Sequence, residues 1–142
     1  MKPRISARKK HIELDILLPS SIFYDRRLSF LESIVVYLKE VHKLSYHEIA
    51  LQTNRDERNI WTIYQRAVKK LGSELLSIPV EIPLIFIPLS VVKDRTLSIL
   101  EIVVYYLKLQ TSLTNHQIAI LLNRSDKTIH TAYSRARQKK NE

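Results

Sequence analysis

A mainly α-helical chain of two tandem three-helix modules, with short extended or β arms before each module, is what the sequence predicts. Three observations carry that prediction. Glycine occurs once, as Gly72, in 142 residues, so few positions suit the positive-φ turns on which hairpins rely. Sliding the chain by 69 positions aligns residues 19–70 with 88–139 without a gap, and 24 of the 52 pairs are identical. Chance does not produce this, so the stretches read as two copies of one unit, either two modules or one pseudo-symmetric body. Within each copy, apolar residues recur at helical spacing behind sharp start signals.

The first helix of each copy opens on an S-x-x-E capping box, Ser29 with Glu32 and Ser98 with Glu101. In such a box the serine hydroxyl takes one orphan backbone N–H and the glutamate reaches back to another. Leu31, Ile34, Val35 and Leu38 then follow at helical spacing, and the helices are expected to end near Val41 and Gln110. The second helix has the same device, Ser45 with Glu48 and Thr114 with Gln117, together with hydrophobic staples Leu44–Ile49 and Leu113–Ile118. It should be short, ending near Thr53 and Leu122. Ala50 and Ala119 offer the small side chain that a steep helix crossing needs.

Asn54-Arg55-Asp56 and Asn123-Arg124-Ser125 come next. Asparagine tolerates the left-handed conformation that closes a helix, and Asp56 and Ser125 are good N-caps. A turn of about three residues therefore leads into a third helix, near 57–70 and 126–139. Two helices joined by so short a turn make a helix-turn-helix.

On the third helix Ile60, Ile63, Tyr64, Ala67 and Val68 form a stripe expected to face the core, matched by Ile129, Ala132, Tyr133 and Ala136, with Arg137 in place of the valine. The other face is left outward. Arg58, Asn59, Trp61, Thr62 and Gln65 in the first copy, and Lys127, Thr128, His130, Thr131 and Ser134 in the second, are the candidate base-reading residues. Arginine and lysine suit guanine edges, asparagine and glutamine suit adenine, and threonine meets an acceptor or a thymine methyl. Arg55, Arg66, Lys69, Arg124 and Arg135 are the candidate phosphate contacts, and the two matched arginine positions among them, 55/124 and 66/135, are unchanged between copies, as phosphates are at every sequence. Letters that build the unit are largely kept, such as Tyr64/Tyr133 and Ala67/Ala136. Outward letters change: Arg58 to Lys127, Asn59 to Thr128, Trp61 to His130, Gln65 to Ser134. A shared scaffold reading two different texts would show this pattern, and so would drift on an idle surface.

The stretch from Leu44 to Ala67 resembles the helix-turn-helix of the fourth conserved region of bacterial sigma factors and related response-regulator readers. Leu44, Ser45, Glu48, Ile49, Ala50, Asp56 and Ile60 carry the resemblance, and Leu113, Thr114, Gln117, Ile118, Ala119, Ser125 and Ile129 repeat it. It implies double-stranded DNA binding through the major groove, often with contact to RNA polymerase, and places Arg58, Asn59, Thr62 and Gln65 where that family reads bases. No segment resembles a promoter-melting region, and the usual turn glycine is asparagine here. Those departures point to a small regulator or accessory factor rather than a complete sigma factor.

Composition agrees with a polyanion partner. The formal charge is +9, with +5 in residues 1–11 alone and +3 and +5 in the two copies. The organisation expected is a basic arm and extended segment over 1–18, a first module over 19–70, an apolar proline-containing linker over 71–87 and a second module over 88–142. Residues 12–19 and 81–88 resemble each other and suit extended arms that either pair as short strands or stay apart, with Pro83 confining such a strand to an edge. Lys2, Arg4, Arg8, Lys9 and Lys10 could lie along phosphates or serve as a solubilising tail.

Several function classes drop out. Cysteine is absent, which removes thiol nucleophiles, disulfides and cysteine-ligated zinc. His47 and His116 have no neighbouring acidic cluster to complete a metal site and read as surface residues. There is no phosphate-cradling glycine loop and no nucleophile–base constellation, so an enzyme, a cofactor or a small-molecule substrate is not expected. No apolar run reaches the roughly 18 residues of a membrane span, and a cytoplasmic protein is expected. The leading expectation is sequence-specific binding of double-stranded DNA by two unequal readers on a bipartite site. The alternatives are an interaction module docking on RNA polymerase and a DNA-targeting subunit of a recombinase or transposase system. The sequence leaves oligomeric state open.

Overall fold

Capping chemistry sets where the helices begin. The computed structural model describes residues 14–73 and 84–142. Its first helix, α1, spans Phe30–Glu40 behind Ser29, whose hydroxyl accepts from Glu32 N while the Glu32 carboxylate accepts from Ser29 N. The second, α2, spans Tyr46–Thr53 behind the equivalent Ser45–Glu48 box. Asn54 closes α2 in the left-handed region, at φ 56° and ψ 46°, and Asp56 caps α3, Glu57–Leu71, by accepting from Arg58 N and Asn59 N. Beyond Phe86 the same kinds of element recur. They are α4 (Ile99–Gln110) behind the Ser98–Glu101 box, α5 (Asn115–Leu122) behind the Thr114–Gln117 box, and α6 (Asp126–Lys139) capped by Ser125. Asn123 ends α5 at φ 56° and ψ 49°. The protein is mainly α, as expected.

Two elements precede each helical set. Strand β1 (Leu17–Pro19) runs into a 3-10 turn, Ser20–Phe23, and strand β2 (Phe86–Pro88) into another, Leu89–Lys93. The strands pair antiparallel, with Leu17 opposite Pro88, Leu18 opposite Ile87 and Pro19 opposite Phe86. Both prolines sit at the strand end that leads into the turn, where no ladder N–H is asked of them. Ser20 N donates to Ile85 O at 2.8 Å and Leu89 N to Ile16 O at 2.7 Å, which extends the pairing beyond the strands. The basic arm and Pro83 lie outside the described residues.

One hydrophobic cluster runs through both halves of the chain. Leu18, Phe23, Ile34, Leu38, Ile49 and Ile60 from the first half are buried in it with Ile87, Leu89, Val103, Leu107, Ile118 and Ile129 from the second. Each 3-10 turn packs against the short helix of the opposite half, the first against α5 and the second against α2. A smaller cluster of Leu28, Val36, Ala67 and Leu71, flanked by Tyr64, ties α1 to α3. Val68, expected in the core stripe, is instead 40% exposed. Burial at the end of α3 follows Ala67 and Leu71, four residues apart on one face. Val68 lies about 100° round from Ala67, and its counterpart Arg137 is exposed too.

The candidate nucleic-acid interface

Whatever α3 and α6 present to solvent depends on how their inner faces are held. Ile60 and Ala67 of α3 and Ile129, Ala132 and Ala136 of α6 are buried. Lys70 reaches from the end of α3 to Glu32 at 2.8 Å, and Lys139 from the end of α6 to Glu101 at 2.8 Å. The Tyr64 hydroxyl donates to Glu40, and that bond, helped by burial, pushes its pKa up to about 12. Tyr133 lies against Tyr105, with ring centroids 6.4 Å apart, and takes Lys108 over its face. Each helix is thus fixed in rotation about its own axis, so its other face has a definite direction.

That face carries the residues expected on it. Arg58, Asn59, Trp61 and Gln65 are exposed, Trp61 at 52%, while Thr62 is half-buried. Lys127, His130 and Ser134 are exposed on α6, and Thr128 and Thr131 are half-buried. Two of the hydroxyls are already engaged. Thr62 Oγ1 donates to Arg58 O at 3.1 Å, and Thr128 Oγ1 lies 2.9 Å from Ser125 Oγ. Both threonines keep a methyl group and hydroxyl lone pairs for a partner. Arg66, Lys69 and Arg135 are exposed, and Arg58, Arg66 and Lys69 have no ion-pair partner among the described residues. Beside α3, an open groove of about 580 Å³ is lined by Tyr46, Asp56, Glu57, Arg58 and Trp61. Beside α6, one of about 320 Å³ is lined by Ser98, Lys127, Thr128, Thr131 and Arg135 among others.

Arg55 and Arg124, read from the sequence as phosphate contacts, have another occupation. Arg55 Nη1 donates to Thr53 O at 2.6 Å and to Val92 O at 3.0 Å. Arg124 Nη1 donates to Leu122 O, Asn123 O and, at 3.2 Å, Phe23 O, and its guanidinium lies 4.9 Å from the Phe30 ring centroid. The neighbouring asparagines follow: Asn54 Nδ2 donates to Lys93 O and Asn123 Nδ2 to Tyr24 O. The residues of the α2–α3 and α5–α6 turns therefore tie each turn to the 3-10 turn of the other half. The carbonyl partners 37 and 101 residues away are not visible in a local motif.

Sequence reasoning also passed over Arg26 and Arg95. Burial pulls Arg55 below the usual arginine range, and the Arg95 charge beside it adds to the effect. Burial does the same at Arg124, with Arg26 adding and Asp25 opposing. Arg26 and Arg95 are exposed, lie at matched positions and have no ion-pair partner among the described residues. Each places a free cation next to the entry of the opposite half's third helix. Their identity at the 69-residue offset was the available signal.

Sigma-70, region 4, is the family whose model matches, over residues 26–71. The matched span runs from just before α1 to the end of α3. It supports a helix-turn-helix of that type and, with it, a DNA-binding, transcription-related function. Residues 88–139 lie outside the match. No curated protein and no solved structure matched the chain.

Among the described residues no group of three or more histidine, aspartate and glutamate side chains is placed to hold a metal ion. His47 and His116 face acidic neighbours on the third helices, Glu57 at 3.2 Å and Asp126 at 3.0 Å. Nor is any helix among the described residues long and apolar enough to cross a membrane.

Proposed function

We propose that the chain is a sequence-specific binder of double-stranded DNA that uses two unequal helix-turn-helix readers, with α3 and α6 as reader helices, and that it acts as a transcriptional regulator or a sigma-region-four-like accessory factor. The observation that carries this reading is the outward face of α3. Arg58, Asn59, Trp61 and Gln65 stand exposed on the second helix of a turn whose family model is sigma-70, region 4. The kinship of α6 rests on 24 identities in 52 aligned positions and on the recurrence of caps, turn asparagine and buried isoleucine. In this reading Arg58, Asn59, Trp61, Thr62 and Gln65 meet one set of base edges, and Lys127, Thr128, His130, Thr131 and Ser134 meet another. Arg66, Lys69 and Arg135 flank them on phosphates, joined by Arg26 and Arg95. The protein is a cytoplasmic binding protein, not an enzyme, and needs no cofactor.

Fluorescence anisotropy on a duplex, with salt raised from about 50 to 200 mM, tests the reading. A protein with 6–10 phosphate contacts loses roughly 10³–10⁵ in affinity over that range as condensed counterions are released. A steep fall is expected here. An affinity indifferent to salt, or no duplex binding at all, contradicts the proposal.

A second reading has its own observation. Leu51 on α2 and Ile120 on α5, at matched positions, are 63% and 53% exposed. Their recurrence at matched positions is the observation that favours a protein partner, and RNA polymerase is the partner that the resemblance implies. The two readings are compatible, since these residues lie on different helices from the readers.

A further inference from the structure

The contacts between the two halves come in reciprocal pairs. Arg55 donates to Val92 O, and Arg124, 69 positions on from Arg55, donates to Phe23 O, 69 positions back from Val92. Asn54 to Lys93 O and Asn123 to Tyr24 O are related in the same way. So are Ser20 N to Ile85 O and Leu89 N to Ile16 O. In the strand pair, Leu18 faces Ile87, its own counterpart, while Leu17–Pro88 and Pro19–Phe86 exchange roles about it. A contact set in which i meets j and j meets i is the mark of a two-fold axis. A head-to-tail arrangement of two copies would give one-way contacts instead. The pseudo-two-fold axis therefore passes through the Leu18–Ile87 pair, and it exchanges α3 with α6.

Duplex DNA has its own local two-fold axes, and half-site orientation mirrors the symmetry of the protein that reads it. Resting on the two-reader proposal above, we infer that the DNA site is an imperfect inverted repeat of fixed spacing, not the direct repeat that two modules strung in tandem would suggest. The fixed spacing follows from the clamp. β1–β2, the crossed asparagine and arginine bonds and the shared core leave the readers no independent freedom. The imperfection follows from the outward letters. Asn59 faces one half-site where Thr128 faces the other, and Gln65 where Ser134 does, so base pairs under those residues differ between halves. Thr62 and Thr131 are the same residue, so the base pairs beneath them should be related by the dyad.

Selection from a pool of random duplexes with the full chain, followed by binding measurements on the enriched sequence, tests this. Two unlike motifs in inverted orientation, sharing a central dyad, are expected. Inserting five base pairs between them turns one half-site by about half a helical turn and should remove the gain from joint engagement, roughly 10²-fold or more. Two motifs in direct repeat, a single motif, or indifference to the insertion overturns the inference while leaving DNA binding intact. Failure to enrich any duplex overturns the two-reader proposal beneath it.

Discussion

Arg55 and Arg66 lie eleven positions apart on the same helix-turn-helix and have different work. Arg55 satisfies two backbone carbonyls, one of them across the interface between halves. Arg55→Ala should leave them short of a donor and cost about 1–3 kcal/mol of stability, read as a shifted denaturation midpoint. Arg66 is exposed. In the proposed function Arg66→Ala should leave the midpoint unchanged, weaken binding to all duplexes alike and lower the salt slope by about 1. Arg58→Ala should instead relax preference at one half-site by about 1–3 kcal/mol. Equal losses at both half-sites in a competition assay would contradict a two-text reading. Local spacing could nominate all three arginines, because it reports which face a residue occupies. It could not separate them, because one of Arg55's two carbonyl partners, Val92 O, arrives from the far half of the chain.

At the scale of the elements, the capping boxes made the helices legible. Each S/T-x-x-E/Q set folds into reciprocal side chain–backbone bonds, and Asp56, Ser125, Asn54 and Asn123 take the cap and left-handed roles their chemistry favours. The 3-10 turns escaped notice. Pro19 and Pro88 precede them with no side-chain cap, and Ser-Ser-Ile-Phe has no local signature. Two of the boxes also set an acid limit. Burial alone would raise Glu32 and Glu101, but bonds from Lys70 and Ser29, and from Lys139 and Ser98, outweigh it and leave both below the ordinary 4.5. A carboxylate with a depressed folded-state pKa contributes stability that is present above 4.5 and lost as pH falls through the folded value. Stability should therefore drop as pH is lowered below 4.5, and an E32Q/E101Q variant, less stable at neutral pH, should show a shallower acid limb in denaturation curves. An unchanged limb would remove these groups from the account.

For the whole molecule the consequence is cooperativity. A core that takes Leu18 and Ile34 from one half and Ile87 and Val103 from the other cannot come apart by halves. Thermal unfolding should show one transition by every probe. Leu18→Ala, at the pseudo-axis, should cost about 2–5 kcal/mol and lower that single transition. Two separated transitions would mean independent units. The 24 identities at an offset of 69 marked two similar stretches, and helical periodicity marked their apolar faces. Neither could say which half covers which face: Phe23 stacks on Phe30 of its own half, while the 3-10 turn that carries it packs against α5 of the other. That assignment is made by the crossed bonds from Asn54, Arg55, Asn123 and Arg124. In the proposed function one rigid body presents α3 and α6 to a duplex. Backbone amide NMR shifts, followed while the selected duplex is titrated into the full chain, test this arrangement. Shifts centred on residues 57–66 of α3 and 126–135 of α6, with Arg26 and Arg95 beside them, are expected. Shifts confined to the faces bearing Leu51 and Ile120, or to one helix alone, would contradict it.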